Sequence, residues 1–290
     1  MSSVENNPLI SVIIPTYNRG PLLKETLDSV LAQSCGNYEV IIVDDGSTDE
    51  TRSLVESYPE YNPLRYIYQE NKGVAEARNT GVRNSLGEFV AFCDSDDLWK
   101  PHKLEKQMRL FSEGTALVFS DGYLFEDISR PKGKFYEFTI PHTGRVYDHL
   151  LANNFIVTST VVVRKALMLK PFRGRTCEDW QMWLSVAKQG DFAYVPEPLV
   201  YYYEHGQGLS KAKAVLYSSR IGVREEELAE LQNDASADRR MVRSLRMMIL
   251  KDRILLRVLD WLPEGIMKRI NSLYYGSRGV RKVIKTIIGG

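Results

Sequence analysis

Three carboxylates, Asp94, Asp96 and Asp97, fall within four residues and directly follow the apolar run Phe89–Cys93. A short apolar run of this kind reads as a buried strand. Its end is then the mouth of a sheet, where α/β proteins bind ligands. Carboxylates this crowded repel one another unless a cation lies between them. Oxygen-only ligands suit Mg²⁺ or Mn²⁺, and either ion suits a phosphate-bearing substrate. The competing reading is a solvated acidic turn that caps the next helix.

Other polar groups recur at comparable places. The run Ile10–Pro15 ends in Pro15-Thr16-Tyr17-Asn18, where Tyr17 could stack on a base and Thr16 or Asn18 could hydrogen-bond it. Loops with no ligand also contain such residues. The run Glu39–Asp44 ends in Asp44-Asp45. A carboxylate there can accept from a base N–H or a ribose hydroxyl, whereas capping falls to Ser47 and Asp49. Ser47 with Glu50 is expected to form a capping box, and Gly46 to permit a tight turn. In Asn71–Gly81, Lys72 and Arg78 could offset phosphate charge or simply line a solvated helix face. The chain contains neither Gly-x-Gly-x-x-Gly after its first strand nor Gly-x-x-x-x-Gly-Lys-Ser/Thr. That argues against a dinucleotide-binding enzyme and against a P-loop NTPase.

The elements that must position these groups follow from hydrophobic periodicity. Strands are expected at Ile10–Pro15, Glu39–Asp44, Leu64–Tyr68 and Phe89–Cys93. Helices are expected at Pro21–Ser34, Val74–Asn84 and Pro101–Phe111, the first burying Leu23, Leu27, Val30 and Leu31. This alternation predicts an α/β fold with a mostly parallel sheet flanked by helices. After Thr115 the pattern changes to short β-like pieces at Ala116–Phe119, Lys134–Phe138, Thr158–Val163, Phe192–Val195 and Leu199–Tyr203, with a helix over Trp180–Gln189. From about Lys211 the chain reads as largely helical. The division expected is a domain over residues 1–205 and a helical, basic extension over 206–290.

With 43% hydrophobic and 26% charged residues among 290, the composition is that of an ordinary soluble globular protein. Cys35, Cys93 and Cys177 are widely separated, which suggests neither a zinc site nor a disulfide framework. No signal peptide is apparent, and no segment approaches the roughly 18 consecutive apolar residues of a membrane span. A cytoplasmic location is therefore expected. The net charge of +1 conceals an asymmetry: Arg239–Gly290 holds 13 Lys/Arg against 3 Asp/Glu, a net of +10, which leaves 25 against 34, a net of −9, elsewhere. Basic, amphipathic segments of this kind can lie on an anionic membrane surface, here the inner face of the cell membrane. The alternatives are a bundle with a basic solvent face or a homo-oligomer contact. Nucleic acid would suit the charge, but nothing else in the chain supports it.

Taken in order, Val12-Ile-Ile-Pro-Thr-Tyr-Asn18, Val43-Asp-Asp-Gly-Ser-Thr-Asp49, Asn71-x-Gly73 with Ala77-Arg-Asn-x-Gly81, and Asp94-Ser-Asp-Asp97 resemble family 2 glycosyltransferases. The resemblance spans about residues 8–112 and continues more weakly through Glu178-Asp179-Trp180 to Ser210. It implies the GT-A fold and an inverting, metal-dependent transfer from a nucleotide-sugar donor, UDP-linked, to a hydroxyl of a glycan or lipid-linked glycan. Nucleotide-binding positions carried over are Pro15, Thr16, Tyr17, Asn18, Asp45, Arg78, Asp94 and Ser95. Asp45 falls near the base, Arg78 near the base or pyrophosphate, and Asp94 near the ribose. Asp96 would hold Mn²⁺ or Mg²⁺, with Asp97 in support and His205 as a further ligand. Asp179 is the expected general base and Glu178 its reserve. Trp180 and Trp183 could stack against acceptor sugars, core packing being the safer reading for Trp183. A competing function is a non-catalytic glycan- or nucleotide-binding module of the same fold.

Overall fold

The structure, a computed structural model, describes residues 8–59, 63–126, 131–137, 141–204, 213–235 and 237–258. Contacts divide the chain into two compact units, Met1–Leu209 and Ser210–Gly290.

The first unit begins with β1 (Ile10–Thr16), α1 (Gly20–Leu31), β2 (Tyr38–Asp44), α2 (Thr51–Glu56), β3 (Leu64–Tyr68), α3 (Val74–Asn84) and β4 (Phe89–Phe92). Every residue of β1, β2 and β4 is buried, because a parallel sheet is covered on both faces. On one face Ile10, Val12 and Ile14 pack with Leu23, Leu27 and Val30 of α1. On the other, Ile41 and Val43 meet Ala77 of α3. A Cβ at Gly81 would stand 2.4 Å from Ile13 Cγ2, so only glycine lets α3 settle this closely on β1.

The chain continues through β5 (Leu98–Trp99), α4 (Lys103–Met108), β6 (Thr115–Phe125), β7 (Gly133–Lys134), α5 (Tyr147–Ala152), β8 (Val162–Arg164), α6 (Glu178–Ala187) and β9 (Asp191–Tyr203). Among the described residues one sheet runs in the order β3-β2-β1-β4-β8-β6-β9-β5, with β7 added to β6. The pairs β3–β2, β2–β1 and β1–β4 are parallel; β8 is antiparallel to both β4 and β6. Thr16 lies opposite Asp44 and Ile13 opposite Phe92. The C-terminal ends of β1, β2 and β4 are therefore nearly level, and the loops beyond them share one edge.

Several local expectations are corrected. Ser47 does not cap α2. Its hydroxyl accepts from Asn18 N (2.8 Å), and Asp49 Oδ1 receives Thr51 N (3.0 Å) instead. The expected Pro101–Phe111 helix is confined to α4, and among the described residues of the expected Lys134–Phe138 strand only Lys134 lies in a strand, β7, while Phe138 lies outside them. Thr158–Thr160 forms a 3-10 turn ahead of β8, not a strand. The two strands expected around Pro196 and Pro198 are one strand, β9, whose register against β6 shifts near Ser120–Gly122. The bulge absorbs prolines that have no N–H to give the ladder.

The second unit contains α7 (Lys213–Asn233) and α8 (Arg239–Val258). Leu245, Ile249 and Leu255 of α8 are buried, as are Tyr217, Ile221 and Val223 of α7. Asp252, wholly buried, pairs with Arg224 Nη1 and lies 3.7 Å from Arg220 Nε. Among the described residues no helix is long and apolar enough to cross a membrane.

Candidate active site

The end of β2 supplies Asp44 and Asp45, and their partners show why both are acidic. Asp44 accepts from Ser47 N (2.8 Å) and from the Tyr66 hydroxyl (2.5 Å). Asp45 is 4% exposed. It accepts from Gln69 Nε2 (2.7 Å) and from the backbone N–H of Lys72 (2.9 Å) and Gly73 (2.8 Å). Gly46 (φ 88°) and Gly73 (φ 89°) both adopt the left-handed backbone that brings these segments together. Asp45 thereby fixes the entry to α3. A carboxylate offers about four acceptor positions, so three filled leave about one.

At the end of β1, Pro15 is buried and Tyr17 is 49% exposed. The Thr16 hydroxyl is buried without a partner among the described residues. Asn18 adopts φ 50°, and its side-chain carbonyl accepts from Thr48 N (2.8 Å). That amide stitches the two loops together, and Tyr17 is the residue left presenting a ring.

Arg78, which the resemblance puts near the base or pyrophosphate, is 3% exposed and spans two carboxylates, with Nη2 2.7 Å from Asp94 Oδ1 and Nη1 2.6 Å from Glu178 Oε1. Its guanidinium also lies 5.8 Å from the centroid of the Phe172 ring. Burial pulls the Arg78 pKa down, but Asp94, Glu178 and Asp179 together hold it above its ordinary value, so Arg78 stays charged.

Asp94 keeps 31% of its side chain exposed and Asp96 keeps 16%. Arg19 Nη2 approaches Asp96 Oδ2 at 3.8 Å. Ser95 is buried. Asp97 is fully buried and accepts from Tyr203 N (3.0 Å) and the Ser159 hydroxyl (2.5 Å), which tie the acidic loop to β9 and to the 3-10 turn. Burial, and then Asp94 and Asp96, push its carboxyl well above the usual range. Among the described residues no group of three or more His, Cys, Asp or Glu could enclose a metal ion. The donor set at Asp94 and Asp96 still fits Mg²⁺ or Mn²⁺, because such ions are commonly held by one or two carboxylates together with substrate phosphates. His205 lies outside the described residues.

Glu178 and Asp179 open α6 after Cys177, which adopts a left-handed backbone (φ 62°). A helix N-terminus favours carboxylates, and Trp180 N donates to Asp179 Oδ1 (2.7 Å). Asp179 Oδ2 receives the Thr158 hydroxyl (3.1 Å) and Asn154 Nδ2 (3.3 Å). Burial raises the pKa of Glu178 and of Asp179, and the Arg78 charge restrains both. Trp180 and Trp183 are both buried. Trp180 Nε1 donates to Leu150 O (2.8 Å), and Trp183 packs 6.0 Å from Phe92. Neither is presented to a sugar, which corrects the expectation for Trp180 and settles Trp183 as core. Asn154, Thr158 and Ser159 are site residues that sequence reasoning missed. A run of three hydroxyls, Thr158-Ser159-Thr160, was the available signal.

One helix thus organises the whole arrangement. Asp45 grips the start of α3, and Arg78, a little over one turn on, joins Asp94 at the end of β4 to Glu178 at the start of α6. A curled, mostly parallel sheet carrying acidic loops along one edge defines a GT-A glycosyltransferase. The chain belongs to glycosyl transferase family 2, whose model matches residues 11–169.

Among its relatives is the putative teichuronic acid biosynthesis glycosyltransferase TuaG of Bacillus subtilis (strain 168). It is 38% identical over 192 residues, 64% of this chain and 75% of that one. The UDP-Glc:alpha-D-GlcNAc-diphosphoundecaprenol beta-1,3-glucosyltransferase WfgD of Escherichia coli is 32% identical over 189 residues, 64% of this chain and 73% of that one. The chain spans 32% of the length of an uncharacterized glycosyltransferase of Rickettsia felis, with 34% identity. In fold it resembles S. aureus TarS 1-349 in complex with UDP-GlcNAc, with a TM-score of 0.66 and 20% identity over 91% of this chain and 79% of that one. It also resembles the mannosyltransferase PcManGT from Pyrobaculum calidifontis in complex with GDP-Man and Mn²⁺, with a TM-score of 0.59 and 22% identity over 98% and 80% of the two chains.

Proposed function

We propose that residues 1–205 transfer a sugar from a UDP-linked donor to a hydroxyl of a glycan carried on a lipid, with inversion at the anomeric carbon. The observation that carries this reading is the Arg78 bridge between Asp94, on the donor side, and Glu178, beside Asp179 on the acceptor side. The diphosphoundecaprenol-linked acceptor of WfgD supports a lipid-linked glycan as acceptor, and WfgD and TarS support a UDP-sugar donor.

Tyr17 stacks on the base and the remaining acceptor position of Asp45 takes one ring N–H. Uracil offers one such donor at its imide, whereas guanine presents two side by side. Asp179 is held by Thr158 and Asn154 so that a carboxylate faces the acceptor hydroxyl, and its raised pKa makes it a stronger base. The acceptor O–H proton passes to Asp179. The acceptor oxygen bonds to the anomeric carbon as the bond from that carbon to the phosphate oxygen breaks, and the nucleoside diphosphate departs. A divalent ion held by Asp96, with His205 as a further ligand, would act as a Lewis acid toward the leaving diphosphate.

The test is release of UDP from candidate donors in the presence of Mn²⁺ and a lipid-linked acceptor, by wild type, Asp179→Asn and Asp96→Ala. Turnover by wild type that both variants lose supports the assignment. UDP release by Asp96→Ala equal to that of wild type removes the metal role. Donor binding without turnover on any acceptor would favour the non-catalytic binding module.

A further inference from the structure

Helix α8 has two faces of different chemistry. Leu245, Ile249, Asp252 and Leu255 are buried. The opposite side exposes three large apolar residues, Met247 (49%), Leu250 (50%) and Ile254 (51%). Spacings of three and four residues place them in one stripe. Arg243, Arg246 and Arg257, all exposed, lie three, four or seven residues from Leu250 or Ile254 and so share that side. The one acidic residue of α8, Asp252, is buried against Arg224 and contributes no charge to the outer face. Helix α7 differs: its exposed residues include Glu225, Glu226 and Glu230. Glu225 pairs with Arg253 of α8, and of the exposed large apolar residues of the hairpin three lie on α8 against Val215 (49%) on α7.

We propose that the outer face of α8 is a docking surface for an anionic lipid bilayer, on which the helix lies in the plane of the headgroups. Exposed apolar side chains flanked by arginines are what such an interface selects: hydrocarbon enters the acyl boundary while guanidinium groups meet lipid phosphates. Helix α8 is too polar to span a bilayer, so it lies on the surface. A second copy of the chain is a poorer occupant, since a two-fold contact would set this arginine-rich face against itself. The inference is independent of donor and acceptor, so it survives if the assigned chemistry fails.

The experiment is co-sedimentation of the full chain with vesicles of phosphatidylcholine alone and of phosphatidylcholine containing phosphatidylglycerol. Wild type should pellet with the anionic vesicles only, and raising salt from low to about 0.5 M should weaken this by shortening the screening length. The variant Leu250→Asp/Ile254→Asp should lose about tenfold in partitioning, and Arg243→Gln/Arg246→Gln about threefold to tenfold. All four positions face outward, so thermal melting should match wild type, and UDP release with a water-soluble acceptor should be unchanged. Failure to pellet with anionic vesicles would overturn the proposal. So would full binding by Leu250→Asp/Ile254→Asp, which would place any lipid contact elsewhere. A concentration-dependent dimer in sedimentation velocity, dissolved by the same variant, would assign the face to a second copy.

Discussion

Two buried arginine systems in this chain differ in how far they open to solvent. In the C-terminal hairpin Asp252 lies between Arg220 and Arg224, and the Arg224 and Asp252 side chains are at most 1% exposed. At the active site one arginine, Arg78, meets two carboxylates, whose side chains keep 31% (Asp94) and 11% (Glu178) of their exposure. Desolvating an arginine is costly in both places, and each is repaid by charge-assisted hydrogen bonds. The hairpin pair is closed off, so its role is to hold two helices in register. The site cluster opens toward solvent and carries surplus negative charge, which binding of a cation with a diphosphate can use.

That contrast can be broken by mutation. The largest effect is expected for Asp179→Asn, which removes the proposed proton acceptor without unpairing Arg78. Turnover should fall about 10²- to 10⁴-fold with little change in melting temperature. Asp252→Ala should do the reverse, costing about 3–5 kcal/mol because it breaks the buried ion pair with Arg224. Urea unfolding and limited proteolysis within residues 213–258 would register that loss. An Asp252→Ala protein as stable as wild type would show that the hairpin does not depend on the pair.

Arg78→Lys offers an intermediate perturbation. A single ammonium cannot span Asp94 and Glu178 as a planar fork does, so kcat should drop about tenfold or more, with a smaller change in donor KM. The rate should rise with pH through an apparent pKa above the ordinary carboxylate value, since burial raises Asp179. The Arg78 charge favours the ionised base, so Arg78→Met should shift that rise to higher pH. A profile that does not move would mean Asp179 titrates independently of Arg78.

The smallest effect concerns Lys103, which is fully buried above the Trp99 ring (3.8 Å to the centroid) and has no hydrogen-bond partner for Nζ among the described residues. Burial lowers its pKa to about 7. Between the unfolded value near 10.5 and about 7 the unfolded chain binds the extra proton, so stability from this group declines as pH falls across that window. Lys103→Met should therefore raise the melting temperature by a few degrees at pH 7 or below. The gain should fade toward pH 10, as differential scanning calorimetry at several pH values would show.

How legible these features were depended on the range of the interactions. Strands β1, β2 and β4 could be read directly, because burial on both faces makes each a continuous apolar run. Helix α3 was bounded by Gly73 and its amphipathic spacing. Helix α5 went unrecognised, being six residues long and too short for periodicity to reveal. Pro196 and Pro198 disguised β9 as two strands, since a bulge is a property of the pairing and not of one segment. The acidic positions were visible from type and spacing, but their partners were not. Arg78 finds Asp94 16 residues away and Glu178 100 residues away. Ser47 had a local capping partner available and instead serves Asn18, because β1 and β2 end at the same level.

The contact of Gly81 with Ile13 has a consequence for the chemistry above it. α3 rests on the sheet with no clearance to spare, and the same rigid rod carries the guanidinium three residues earlier. Adding a single methyl group at position 81 would force Ile13 or that rod to shift, and any tilt of the rod would be felt where Asp94 and Glu178 are joined. The tolerance of the reaction centre is thus set partly on the far side of a helix, by an atom that is absent.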